Sequence, residues 1–138
     1  MSLDLITPEN LSLETLREIY DDALMEVTID DEHGFLRLKE EIVAKVTMHE
    51  SKERLGIIAF YGIKEDTQRI DRLELANRIN DQYVMVRACI EDEGDLCFDY
   101  TIMIKGGVSR KYIAHATRQF LKLVPRAVSE CDEDGVVE

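Results

Sequence analysis

The chain has 138 residues, 45% of them hydrophobic, with only 2 prolines and 7 glycines and a formal net charge of -12. Its length suits one domain over residues 1–138, and its composition excludes disorder of the low-hydrophobicity kind. Nucleic acid and anionic membrane surfaces are excluded as partners, because phosphates would be repelled and no Lys/Arg run compensates.

Residues 11–26 predict a first helix. Leu13, Leu16, Tyr20, Ala23 and Val27 recur at helical spacing, and Ile19 and Leu24 widen the stripe. Pro8 signals the start, Asn10 or Ser12 serves as N-cap, and Glu14 suits the first turn. The pattern then changes to period 2, giving short strands at 27–30 and 35–39 around the DDEHG turn. A hairpin follows, with arms at 41–50 and 54–63. In its second arm Leu55, Ile57, Ala59 and Tyr61 face one way and Ile58 and Phe60 the other. Both faces are apolar, so this strand is expected to be covered on both sides.

Residues 68–83 predict a second helix whose apolar arc, built from Leu73, Leu75, Ala76, Ile79 and Tyr83 with Ile70 beyond it, is wider than one sheet contact requires. Strands at 84–90 and 96–104 form a hairpin around EDEGD. Matching the apolar faces (Val84, Val86, Ala88 and Ile90 against Leu96, Phe98, Tyr100, Ile102 and Ile104) sets Ile90 opposite Leu96. The same register sets Arg87 opposite Asp99 and Cys89 opposite Cys97. Gly106 and Gly107 end the strand, and Ser109 caps a third helix with the stripe Ile113, Ala116, Phe120, Leu123 and Val124. Pro125 is expected to kink or stop it. Residues 130–138, with five acids, are expected to fray, leaving an ordered core of about 11–128. The order α-β-β-β-α-β-β-α, with three or four strands before the second helix, lacks βαβ repetition, so the class is α+β with an antiparallel sheet.

The sequence NRIN before an apolar strand, the acidic glycine turn EDEGD, a second apolar strand and then GGVS opening a helix resemble the YbjN-domain family, described as bacterial sensory transduction regulators. The resemblance spans about 11–128. It implies a class I type III secretion chaperone-like fold, with helices on a twisted antiparallel sheet, usually dimeric. The family has no established catalytic residues, so the resemblance carries none over, and no cofactor is implied.

Several residues are candidates for function. Asn80 lies in the apolar arc of the second helix and Asn77 on its edge, so Asn80 needs partners. A bond to its own backbone or to the sheet is favoured over a contact across a dimer seam. Cys89 and Cys97 read as small, partly buried hydrophobes in a reducing cytoplasm, because cross-strand geometry is wider than a relaxed disulfide prefers. His33, His49 and His115 are scattered, with no metal-type spacing, and EDEGD lacks the EF-hand frame, so no metal site is expected. Ser109 in GGVSRKY does not sit in a nucleophile elbow, and no catalytic constellation is visible. The turn Gly106, Gly107, Ser109, Arg110, Lys111 is an anion-site candidate, although a serine-capped helix start explains it better. The longest apolar run, about Gly56–Ile63, is far shorter than the ~18–20 residues a membrane span requires.

The expectation is therefore a cytoplasmic, non-enzymatic protein-interaction module, homodimeric, acting as a regulator or chaperone-like adaptor for a protein client. Its expected surface combines Leu73, Leu75, Ala76, Ile79, Asn80 and Tyr83 with the second face of the last hairpin (Met85, Cys89, Cys97, Thr101 and Met103) and the flank of the first helix. A dedicated secretion chaperone and a small-molecule or anion-binding regulator using residues 106–111 are the alternatives.

Overall fold

The computed structural model describes residues 5–138; the first four residues of the expected single domain lie outside them. In chain order the elements are β1 (Leu5–Ile6), α1 (Leu13–Asp22), β2 (Glu26–Asp30), β3 (Phe35–Lys39), β4 (Val43–Met48) and β5 (Arg54–Tyr61). Then come α2 (Arg69–Gln82), β6 (Arg87–Ile90), β7 (Leu96–Met103), β8 (Val108–Ser109) and α3 (Arg110–Cys131). Six strands form one antiparallel sheet in the order β2-β3-β4-β5-β7-β6. The fold is α+β, as the element order implied. The short β1–β8 ribbon, antiparallel and separate from the main sheet, is an addition. Two-residue strands carry too little periodicity to be read from sequence.

One face of the sheet is the core. Leu36, Leu38, Val46, Leu55, Ile57, Phe98 and Ile102 alternate inward and are fully or almost fully buried. The helices supply the opposing layer: α1 packs on β2 and β3, α2 on β6, and α3 on β7 and both other helices. A buried hydrogen bond joins α1 to α3. The Thr117 hydroxyl donates to Ile113 O at 2.7 Å, so the Tyr20 hydroxyl donates to Thr117 Oγ1 at 2.9 Å. Both hydroxyls are thereby satisfied in an apolar layer, where an unpaired one would cost about 1–3 kcal/mol.

The structure corrects five boundary or burial expectations. First, α1 stops at Asp22, not near residue 26. Leu24 takes a left-handed conformation, φ 65°, while Met25 N bonds Tyr20 O and Leu24 N bonds Asp21 O. This is a Schellman closure with leucine at the glycine position. Leu24, counted in the apolar stripe, is consequently 90% exposed.

Second, β6 begins at Arg87, and Val84, expected in the hairpin core, is 96% exposed. The chain leaving α2 is still turning at that point and cannot yet pair with β7. Third, α3 runs through Pro125 to Cys131. Its buried stripe continues through Val124, Ala127 and Cys131, and that burial outweighs the one hydrogen bond a proline removes.

Fourth, residues 130–138 have defined partners where fraying was expected. Asp132 accepts from Val136 N and Val137 N at 2.9 and 3.0 Å. Val136 O accepts from Lys64 N at 2.8 Å, Glu138 N donates to Gly62 O at 3.0 Å, and Val137 bridges Ile63. Arg78 closes the segment by donating to Cys131 O at 3.1 Å, with Glu133 and Asp134 carboxylates nearby. The acids that suggested disorder are used as caps and counter-charges. Fifth, β5 is covered on one side only: Ile58 and Phe60 lie on the face that carries no helix.

Candidate functional site

The helix-free face of the sheet presents an organised surface. Its side chains follow from strand pairing, because residues opposite one another on adjacent strands point to the same side. One row runs Phe60–Cys97–Cys89 across β5, β7 and β6. The next runs Arg37–Lys45–Ile58–Asp99–Arg87 from β3 to β6. A third runs Phe35–Thr47–Gly56–Thr101, and Met103 sits beyond it opposite Arg54. Phe60 is 49% exposed and Met103 56%, with Met85 and Val43 also open to solvent. Exposed apolar groups gathered on one face mark a contact surface more often than scattered ones do.

The face has two chemically distinct halves. The β5–β7–β6 half is apolar, with one ion pair. Arg87 donates to Asp99 through Nε at 2.9 Å and Nη2 at 2.6 Å. This bidentate pair holds the Arg87 guanidinium well above its ordinary pKa, the Asp99 hydrogen bond being the main cause. The β3–β4 half is basic: Arg37, Lys39 and Lys45 project from it, and the Lys45 ammonium lies 4.8 Å and the Arg37 guanidinium 5.7 Å from the Phe35 ring centre. Three cations together stand out in a chain of net charge -12.

Between β5, β7 and the chain leaving α2 the face is concave. A hollow of about 560 Å³ is lined by Gly56, Ile58, Met85, Arg87, Asp99 and Thr101. Gly56 forms its floor; a Cβ there would lie 3.0 Å from Thr47 Oγ1, tighter than ordinary contact.

The expected surface residues divide between this face and elsewhere. Met85, Thr101, Cys89, Cys97 and Met103 lie on it or at its margin. Leu75, Ala76 and Ile79 do not: they are buried against the chain's own sheet and third helix, so they are unavailable to a second subunit. Their share of the wide apolar arc is used internally, and only Leu73 and Ile70 remain exposed on α2.

Asn80 takes the sheet contact. Its Nδ2 donates to Ala88 O and its Oδ1 accepts from Ala88 N, both at 2.8 Å. Because β6 is an edge strand, the amide occupies the place of a neighbouring strand and blocks pairing there. This is the sheet bond favoured from sequence. Tyr83 is half-buried and donates its hydroxyl to Glu130, which pushes the phenol up and the carboxyl down from their ordinary values.

The turn Gly106–Gly107–Val108–Ser109–Arg110–Lys111 is built as a strand-to-helix junction. Both glycines have positive φ, Ser109 Oγ accepts from Tyr112 N at 3.0 Å, and Arg110 lies 4.0 Å from the Asp22 carboxylate. The cap occupies the helix-start amide and an acid stands beside the arginine.

Sequence reasoning missed Phe60, Ile58, Val43 and the basic strip as surface. The signal was present in the apolar second side of β5, but two-sided hydrophobicity reads first as burial.

The YbjN family model, described as "Putative bacterial sensory transduction regulator", matches residues 12–133. The chain belongs to the YbjN family. The crystal structure of YbjN from E. coli, described as "a putative transcription regulator", superposes with a TM-score of 0.78 at 18% identity, covering 96% of this chain and 98% of that one. The Yersinia pestis type III secretion chaperone SycH, solved with a stable fragment of YscM2, gives 0.56 at 13% identity, covering 85% and 97%. The chaperone SchA, solved with the effector HopA1, gives 0.56 at 15% identity, covering 78% and 85%. The YbjN-family chain thus has a secretion chaperone-like fold. No curated protein sequence matches it. No helix among the described residues is long and apolar enough to cross a membrane.

Proposed function

We propose that this YbjN-family chain is a non-catalytic protein-interaction module that binds an extended or amphipathic segment of a protein client on the open face of its sheet, as a cytoplasmic homodimer. The observation that carries the reading is the face itself: all three helices pack on the opposite side, and Phe60, Met85 and Met103 stay in solvent beside a basic strip. Methionine and phenylalanine make an adaptable apolar platform. Arg37, Lys39 and Lys45 favour a client segment that pairs apolar side chains with acidic ones. SycH with its YscM2 fragment and SchA with HopA1 support the reading, since two proteins of this fold hold protein partners. The exposed flank of α2, Ile70 and Leu73, supplies the contact between copies.

A photo-crosslinking residue in place of Phe60, compared with one at exposed Lys122, tests this in the native bacterium. Capture of one defined protein at position 60 and not at 122 supports it. Equal capture at both positions, or none at 60, overturns it. The homodimer is checked by light scattering, with twice the 15.9 kDa chain mass expected. A narrower reading, a dedicated secretion chaperone, draws on the likeness to SycH and SchA and predicts a secreted-effector gene beside this one.

A further inference from the structure

We propose that Cys89 and Cys97 form a reversible disulfide across β6 and β7, making the open face a thiol-modification site that responds to peroxide. The inference stands on placement. The two cysteines are directly opposed, point to the same helix-free face, and share a row with exposed Phe60. Cys89 is exposed, contrary to the partly buried setting expected from sequence, and Cys97 is half-buried. Cys131, the third cysteine, is buried at the end of α3 with its thiol toward Gln82 Oε1, so it does not compete for either partner.

Strand geometry permits closure and makes it labile. Glu91 N bonds Asp95 O, and hydrogen-bonded pairs alternate along the ladder, so Cys89–Cys97 is itself a hydrogen-bonded pair. Such pairs hold their Cα atoms about 5.5 Å apart, inside the disulfide range of about 4.4–6.8 Å. Their Cβ atoms are wider apart than a relaxed bridge prefers. A bridge strained in this way is reduced readily, which is the property of regulatory disulfides and not of structural ones.

The surroundings order the two steps. Burial first, and then the neighbouring Cys89 and Asp99, push the Cys97 thiol up to about 12, so it stays protonated. Cys89 is the accessible sulfur and the point of entry. Its thiolate attacks a peroxide: an S–O bond forms, the O–O bond breaks, and the second oxygen leaves as water after taking a proton. The Cys97 thiol then gives its proton to the sulfenic oxygen as its sulfur attacks the Cys89 sulfur, so the S–H bond breaks in the same step. The S–S bond forms, the S–O bond breaks, and the oxygen leaves as water with the Cys97 proton. In total two thiols give two electrons and two protons to one peroxide, yielding two waters. A thiol reductant reverses the change.

The test uses the full chain, reduced and then treated with hydrogen peroxide. The thiol count in denaturant is expected to fall from three to one, and a proteolytic map to link the Cys89 and Cys97 peptides within one chain. Dithiothreitol should restore three. Cys97→Ser should instead accumulate a dimedone-trappable sulfenic acid at Cys89, about tenfold above wild type, because the resolving thiol is gone. Cys89→Ser should keep both remaining thiols at the same dose. Retention of three thiols in the wild type, equal sulfenic acid in wild type and Cys97→Ser, or a bridge between two chains through Cys89 would each overturn the assignment.

Discussion

Each side of the β5–β7 pair carries a phenylalanine, and the two have opposite fates. Ala59 pairs with Phe98, and on the next rung Phe60 pairs with Cys97. Phe98 is fully buried beneath the helices, whereas Phe60 is 49% exposed on the other side. Hydrophobicity alone does not distinguish these phenylalanines; which side the three helices choose does. The covered side supplies stability, and the open side is free to bind.

That contrast is broken most strongly by truncating each phenylalanine. Phe98→Ala is expected to cost about 3–5 kcal/mol, through lost burial and the cavity left behind. Phe60→Ala should stay within about 0.5 kcal/mol of wild type. Urea denaturation of both variants measures the difference, and equal losses would mean that the open face is part of the core.

The sheet edge sharpens the comparison at a smaller scale. Asn80→Ala removes two hydrogen bonds to Ala88 and is expected to cost about 1–2 kcal/mol. Amide exchange at Ala88 should quicken selectively, while the β5–β7 ladder at Ile57 and Phe98 stays protected. On the open face itself, Arg87→Ala should cost only about 0.2–1 kcal/mol at low salt, since the Arg87 side chain is largely solvated. That cost should shrink as salt rises.

The smallest effect is acid sensitivity. Bonds from His33 hold the Asp30 carboxyl below its ordinary 3.8, and Tyr83, followed by Arg126, holds Glu130 below its ordinary 4.5. A depressed carboxyl contributes its full stability above the unfolded value and loses it as pH falls through the folded one. The denaturation midpoint should therefore decline below about pH 4.5, and Glu130→Gln should make that decline slightly shallower.

Much of the fold was legible because its signals are local and redundant. The β6–β7 register followed from two alternating runs and a glycine turn, and Arg87–Asp99 sits where that register put it. The second half of α2 followed from Leu75 and Ile79. What was not legible depended on distant contacts. Pro125 stays within a helix because residues beyond it are buried, and the acidic tail is held by Arg78 and the chain around Gly62–Lys64. The open face was misread for the same reason. Whether Ile58 and Phe60 meet a second layer depends on how many helices the chain has to spend, and all three were needed on one side. The wide arc of α2 is divided: Leu75, Ala76 and Ile79 meet the chain's own sheet and α3, and Ile70 and Leu73 stay exposed.

If the open face binds and the covered face folds the chain, binding and folding separate across the sheet. The most direct measurement combines Phe60→Asp with Met103→Asp, places a photo-crosslinking residue at neighbouring Thr101, and records thermal melting and client adduct together. The expected result is a melting temperature within a few degrees of wild type and loss of the adduct. An unfolded variant, or an adduct at full yield, would contradict it.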